Sequence, residues 1–343
     1  MVMSKATIID DDRKADWDRF VLNHPDAISW HVYDWSKVLR DYYGLAYFPI
    51  AVCNGSEVRG VLPLYRVRTL RSGPALISIP YVVAGGIVAE DEQTQQLLLQ
   101  KAIELSGEMG SIPITLKQYK TRVAGDLRTD AGFYNLELDL SGGVQRVWDD
   151  VLEINKELVD STRHEKLDLE FPSDNVVGFY RTLSRHQHAW GVPTPSRRWI
   201  QLLLETGMYS VALLRRGERI VAGTLVKRFQ HSASFPLTCL PTRDESQVRF
   251  AYRLYWELIT QLAAEGTRTF HSGRIPKDDS VPRYRLGWGG NRREYFYQYY
   301  GLRGKTETGN KRGRARRFIE STWRRMPRRL ANLLSPSIIK EFP

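Results

Sequence analysis

Apolar positions along the chain fall into two rhythms. A helical spacing runs through 29–43, with Trp30, Trp35, Val38, Leu39 and Tyr42 ahead of Gly44, and through 92–109, with Leu97, Leu98, Ala102, Ile103 and Leu105 ahead of Gly110. Between these helices the runs shorten to strand length: 47–52, a turn pair at Asn54-Gly55, 58–65, then 77–81 and 86–88. A first helix starts at 16–20, and a strand at 112–117 ends the stretch.

The second half reads in the same order. Helices are expected at 175–188 and 196–205, strands at 209–214 and 220–229 around Arg216-Gly217, and a strand at 232–237. A long helix at 248–265 closes at Gly266, and strands follow at 267–271 and 294–299. The residues match as well: Val52-Cys-Asn-Gly-Ser-Glu-Val-Arg-Gly-Val-Leu resembles Leu214-Arg-Arg-Gly-Glu-Arg-Ile-Val-Ala-Gly-Thr-Leu with a one-residue shift. An internal duplication of roughly 150 residues per copy gives each copy its own domain. The expected division is a first domain at 1–140, a linker region at 141–171 holding Ser141-Gly142-Gly143, a second domain at 172–300, and a tail at 301–343. The fold class is mixed α/β (α+β), with twisted sheets flanked by helices.

Composition narrows the picture. With 343 residues, 42% apolar and 26% charged, the chain suits two ordinary cores and excludes wholesale disorder or a collagen-like repeat. Two cysteines, Cys53 and Cys239, cannot build a disulfide framework or a four-cysteine zinc site, so a reducing compartment is expected. The longest uncharged stretch, 72–89, is broken by Gly73, Pro74, Pro80, Gly85 and Gly86 and reads as strand–turn–strand, since a spanning helix needs about 20 apolar residues. Asp10, Asp11 and Asp12, with no apolar run beside them, predict no signal peptide.

The net charge of +11 is concentrated in the tail. Twelve Lys and Arg against three Glu give the last 43 residues +9 and leave +2 for residues 1–300. Phe318, Ile319, Trp323, Met326, Leu330, Leu333 and Leu334 fall on one helical face, opposite Arg317, Arg324, Arg325 and Arg328. Pro327 interrupts the pattern, so two short helices are expected, the second starting there. Such a tail suits an anionic membrane surface or a polyanion such as RNA; equally, it is a docked helix with a solvated basic face.

Most catalytic motifs are missing. Gly304-Lys305-Thr306 resembles the end of a P-loop, but Tyr299 stands where the first glycine is required. No Gly-x-Ser-x-Gly elbow occurs. His186 and His188 lack further ligands at metal-binding spacing, so no metal is expected. Cys53 has no neighbouring base and reads as structural. What remains is local: His24-Pro25 through His31; Pro80-Tyr81 before Gly85-Gly86; and Phe270-His271-Ser272-Gly273-Arg274 before Tyr284-Arg285-Leu286-Gly287-Trp288-Gly289-Gly290. Glycines this dense beside arginines and aromatics fit backbone approaching an anionic ligand, or tight turns between strands.

These residues carry a resemblance. Along nearly its whole length the chain resembles the FemAB-related branch of the GNAT-like superfamily, including its BioF2-like acyltransferase domains. It is most similar to members associated with exopolysaccharide (PEP-CTERM/exosortase) systems. The resemblance runs through His24-Pro25 with Trp35, Gly60-Val61-Leu62-Pro63-Leu64, Pro80-Tyr81 with Gly85-Gly86, Phe179-Tyr180, Gly191-Val192-Pro193, Gly273-Arg274, Tyr284-Arg285 with Trp288-Gly289, and Trp323-Arg324-Arg325-Met326-Pro327. It implies two tandem GNAT-like domains and transfer of an acyl or aminoacyl group to an amine. The family usually has lysine where Arg285 stands, and Ser where Ile275 stands. The Arg/Gln-x-x-Gly-x-Gly/Ala signature of acetyl-CoA enzymes is missing, since Arg122-Val-Ala-Gly125-Asp-Leu lacks the second small residue, which favours a larger donor.

The implied reaction needs positioning, an oxyanion donor and a route for one proton, but no protein nucleophile. The expected catalytic residues are His271, Tyr284 and His31, with a histidine taking the amine proton. The expected substrate-binding residues are Arg274, Arg285, Tyr81, Gly85, Gly86 and Trp288, the arginines holding phosphate or carboxylate. No permanently bound cofactor is expected; the donor is a co-substrate, an aminoacyl-tRNA, an acyl-carrier protein or an acyl-CoA. The expected partners are that carrier, an amine-bearing precursor of the cell envelope (peptidoglycan-like or exopolysaccharide), and an anionic membrane surface or tRNA at the tail. The expected location is cytoplasmic, peripheral on the inner face of the membrane. The alternative is a catalytically degenerate scaffold of a polysaccharide assembly system. A general RNA-binding protein fits less well, because the body is near neutral.

Overall fold

The chain folds as two units whose boundary falls inside a strand and not in a linker. The computed structural model describes residues 5–70, 73–241, 244–277, 286–302 and 320–343. The first unit comprises Met1–Tyr134, Arg293–Gly304 and Lys340–Pro343; the second comprises Asn135–Arg292 and Lys305–Ile339.

In the first unit, strand β1 (Lys5–Ile8) precedes helices α1 (Lys14–Asn23) and α2 (Trp35–Tyr43). Strands β2 (Ala46–Asn54), β3 (Glu57–Thr69), β4 (Gly73–Ser78) and β5 (Val88–Ala89) follow, then helix α3 (Glu92–Glu108) and strand β6 (Ile114–Tyr119). The sheet order is β1-β2-β3-β4-β6, completed by β14 (Asn291–Tyr300) from the far end of the sequence. β4 and β6 are parallel; the other neighbours on this path run antiparallel. Alternation along the strands aims Ile50, Val52, Leu62, Leu64, Ile114 and Leu116 at Leu98, Leu99, Ala102 and Leu105 of α3. Asp91 caps α3 by accepting the Thr94 N–H. Gly60 lets that helix sit close: a Cβ there would lie 2.6 Å from Thr94 Cγ2.

The second unit repeats the plan. Its strands are the later part of β7 (Arg128–Asp139), β8 (Asp168–Ser173), β9 (Tyr209–Arg216), β10 (Arg219–Phe229), β11 (Ser232–Cys239), β12 (Thr269–His271) and β13 (Ile275–Pro276). The order is β7-β12-β11-β10-β9-β8, with β11 and β12 parallel and β13 paired to β7. The helices are α4 (Val144–Asp150), α5 (Glu153–Asp160), α6 (Val176–Trp190), α7 (Arg197–Glu205) and α8 (Val248–Ala264). Phe250, Leu254, Leu258 and Leu262 of α8 pack on Val226, Ala233, Phe235 and Phe270 of the sheet.

The duplicated order is present: β2-β3-β4-α3-β6 corresponds to β9-β10-β11-α8-β12. Two expectations about its boundaries are corrected. The 141–171 stretch is not a linker; it supplies α4, α5 and β8, and Val147, Val151 and Val159 lie in the second core. The final strand β14 does not complete the second unit but pairs with β6 of the first, while β7, which follows β6 in sequence, pairs with β12.

The tail is a docked pair of helices, 320–325 and α9 (Arg328–Ile339), split at Pro327 as expected. α9 lies on α6: Ser184 Oγ and the Asn332 amide exchange hydrogen bonds, and Ser335 Oγ accepts the Thr194 N–H at 2.9 Å. His188 Nε2 donates to the Met326 carbonyl, and His186 Nδ1 accepts the Leu240 N–H. The expected single apolar face is corrected: Trp323 is buried, but Leu330, Leu333 and Leu334 point outward. Proline cannot donate to the helical ladder, so α9 starts with its own phase. Phe318, Ile319 and the basic run before them lie outside the described residues. Among the described residues no helix is long and apolar enough to cross a membrane.

Candidate active site

Parallel strands that part company leave a gap lined by backbone, and each unit has one such place. In the first unit β4 and β6 pair at Leu76–Ile114 and Ile77–Thr115, then diverge. The following loop, 79–87, closes that gap. Ser78 Oγ accepts the Lys117 N–H, and the Gly85 N–H donates to the Lys117 carbonyl. The Gln118 side chain accepts the Ile87 N–H at 2.6 Å, Lys117 Nζ donates to the Val82 carbonyl, and Tyr297 OH donates to the Val83 carbonyl.

The predicted residues of this unit are absorbed into that closure. His31 is buried, its Nδ1 accepts the Ile28 N–H at 3.0 Å, and its Nε2 therefore donates to the Gly86 carbonyl at 3.0 Å. Burial lowers its pKa to about 4, so the ring is a neutral brace and not a proton acceptor. Tyr81, at φ 64°, stacks on Tyr43 at 4.0 Å and donates its hydroxyl to the Lys340 carbonyl; burial pushes its pKa up to about 12. Gly85 and Gly86 make a close backbone approach to the protein, where added Cβ atoms would strike Ile79 and Gln118 Oε1, and both line a small cavity with His31 and Gln118.

In the second unit the pairing of β11 with β12 stops at Ser234–His271. β11 bulges there, with Phe235 and Pro236 opposing only Val226 of β10. Past His271 the chain stays with β7: Ser272 donates its N–H to the Leu136 carbonyl, and Gly273 donates its N–H to Asn135 Oδ1 at 2.9 Å.

Register places a row of polar side chains on one sheet face at this point. Lys227 pairs with Ser234, Ser234 with His271, and His271 with Glu137, so the four project to the same side. Adjacent strands lie about 4.8 Å apart, so Lys227 and His271, two strands apart, stand roughly 10 Å apart at their Cα atoms. Lys227 is half-buried, and burial lowers its pKa to about 7. His271 is one-quarter exposed.

Asn135, fully buried, fixes the imidazole. Its Oδ1 is committed to the Gly273 N–H, so its amide nitrogen faces His271 Nδ1 at 2.9 Å and donates to it. The neutral ring then carries its proton on Nε2. Glu137 Oε1 lies 3.7 Å from Nδ1, too far for a hydrogen bond. In the neutral ring the Nδ1 lone pair is thus occupied and Nε2 carries the proton, an arrangement suited to donating a hydrogen bond.

Arg274 follows Gly273 and is exposed. Trp288 is not at the surface of a cleft: it is 4% exposed and stacks on Tyr252 at 5.5 Å in the second core. Tyr284 and Arg285 lie outside the described residues. Sequence reading missed Lys227, Asn135, Glu137 and Ser234. A signal existed for two of them: Tyr134 to Leu140 alternates polar and apolar residues as a half-buried strand does, at the end of the stretch assigned to the first domain.

No family model and no curated protein matches the sequence. Solved structures do match. FemX shares 11% identity, covering 86% of this chain and 96% of its own, with a TM-score of 0.66. L-PGS from Bacillus licheniformis shares 10% identity over 97% of each chain, with a TM-score of 0.57. A tandem GNAT protein from the clavulanic acid biosynthesis pathway shares 13% identity, covering 88% of this chain and all of its own, with a TM-score of 0.53. Two copies of one strand–helix order, each with a parting parallel pair, together with these likenesses give the chain the FemAB/GNAT-like tandem fold.

Proposed function

We propose that the chain is an acyltransferase that moves an acyl or aminoacyl group from an activated carrier to an amine, with its site where β11 and β12 part. The observation that carries this reading is the row Lys227–Ser234–His271–Glu137 at that parting. The acceptor amine attacks the donor carbonyl, the new C–N bond forms, and the C–O or C–S bond to the carrier breaks. Lys227, with a pKa near neutrality, takes the proton the amine loses. His271 Nε2–H donates to the oxygen that gains charge in the tetrahedral intermediate. The leaving oxygen or sulfur departs with a proton returned from Lys227. Arg274 holds a phosphate or carboxylate of the donor. The donor is an aminoacyl-tRNA, an acyl-carrier protein or an acyl-CoA, and the acceptor is an amine-bearing precursor of the cell envelope. The likeness to FemX and to L-PGS supports this reading at the level of fold.

Native mass spectrometry of the full chain with charged tRNA, acyl-CoA and acyl-carrier-protein pools tests it. Retention of one donor class, lost in Arg274→Ala, is the expected result. Binding of none by folded protein would overturn the proposal and favour a scaffold without catalysis.

A further inference from the structure

A helix docked on a protein normally turns its large apolar residues inward; α9 does the reverse. Its buried positions are Ala331 and Ser335, at 1% and 0% exposure, while Leu330, Leu333 and Leu334 stand 45%, 74% and 39% exposed. At 100° per residue these leucines cluster on the side away from Ala331 and Ser335. The face is fixed in place, because Asn332 and Ser335 hold the helix to α6 and its following loop. Four exposed arginines, Arg324, Arg325, Arg328 and Arg329, lie in the turns that precede the leucines, Arg329 flanking Leu333 on the helix.

We infer that this face seats the protein on an anionic lipid bilayer, the leucines entering the acyl boundary and the arginines meeting headgroup phosphates. Helices that lie in a bilayer interface combine leucines on one side with basic residues that reach the headgroups. Charge complementarity selects this occupant. A second copy would have to bury three leucines beside a surface whose exposed arginines have no acidic partner on α9, whereas a bilayer supplies both an acyl boundary and anionic phosphates. A nucleic acid would use the arginines but leave the leucines in water.

Sedimentation of the full chain with vesicles tests the inference, comparing pure phosphatidylcholine with a mixture holding about one-third phosphatidylglycerol. Binding to the anionic vesicles alone, weakened by salt, is expected. The triple variant Leu330→Ser, Leu333→Ser, Leu334→Ser should bind at least tenfold more weakly while remaining folded by circular dichroism, because none of the three belongs to the buried core. Arg328→Gln with Arg329→Gln should lose affinity for anionic vesicles and lose part of the salt dependence. Three results would overturn the inference: no vesicle binding; binding indifferent to the leucine changes, which would make it a general charge effect; or a dimer in sedimentation velocity that the leucine changes dissolve. Tighter binding to RNA than to vesicles, also unaffected by the leucine changes, would overturn it too.

Discussion

Asn135 donates its side-chain amide to Nδ1 of His271 across 2.9 Å and so fixes the proton of the neutral imidazole on Nε2. A buried amide that decides a tautomer decides what the histidine can do. In the proposed reaction this makes His271 a hydrogen-bond donor, and proton removal is assigned to Lys227.

Asn135→Asp keeps the shape and the acceptor for the Gly273 N–H but removes the donor. The imidazole proton should move to Nδ1, visible in the nitrogen chemical shifts of labelled histidine. Transfer should fall by about a hundredfold or more, the usual loss when an oxyanion donor is misplaced. A flipped tautomer with an undiminished rate would remove His271 from the proposed role.

Lys227 should destabilise the fold near neutrality. Its folded pKa, about 7, lies below the value of 10.5 it has in the unfolded chain, so the unfolded state binds more protons between those pH values. Stability at this site therefore rises as pH increases from 7 toward 10.5 and is lowest below 7. Lys227→Met should stabilise the protein at pH 7 by ~2 kcal/mol after solvent screening is allowed for, with the melting temperature up by a few degrees. An unchanged or lower melting temperature would mean that the ammonium is well solvated.

His31 makes an opposite use of burial. Its folded pKa of about 4 lies below the ordinary 6.5, so protons bind the unfolded chain first as pH falls. The stability this neutral brace contributes is fully present above pH 6.5 and drains away down to pH 4, by about 3 kcal/mol at most. Denaturant unfolding at pH 6.5 and 4.5 measures the loss. His31→Gln should be less stable at pH 6.5 and show a shallower decline.

Gly86 tests whether the first unit's gap is closed by its own loop. A side chain there would take the place of Gln118 Oε1, which accepts the Ile87 N–H, and would leave that buried donor unpaired. Gly86→Ala should cost about 1–3 kcal/mol. The cost should shrink markedly in a Gln118→Ala background, because the two residues act through one contact. Additive costs would place the clash elsewhere.

Much of the fold was legible in the sequence because its signals are local. The Asn54-Gly55 and Arg216-Gly217 turns, and the glycines closing the two long helices, mark the duplicated order without any knowledge of contacts. The exchange of β7 and β14 was not legible, since Tyr295 and Tyr297 would alternate in the same way at the edge of either sheet. Lys227 was invisible for a related reason. A lysine in a strand reads as solvent-facing until register sets it beside Ser234 and His271. His31 and Gly86 stood out as unusual, yet their role depended on each other across a long sequence separation. At Pro327 the helical phase restarts, and residue spacing carried across that break put Trp323 and Leu333 on one face when they lie on different ones.

The most direct test is the pH dependence of transfer itself, followed with labelled aminoacyl-tRNA, acyl-carrier protein and acyl-CoA as donors and an extract of envelope precursors as acceptor. Wild-type protein should consume one donor class, with a rate that rises through about pH 7 as Lys227 loses its proton and then levels off. Lys227→Met should remain folded and transfer at least a hundredfold more slowly. Consumption of no donor, or a variant as fast as the wild type with the same pH profile, would contradict an acyl-transfer site at the parting of β11 and β12.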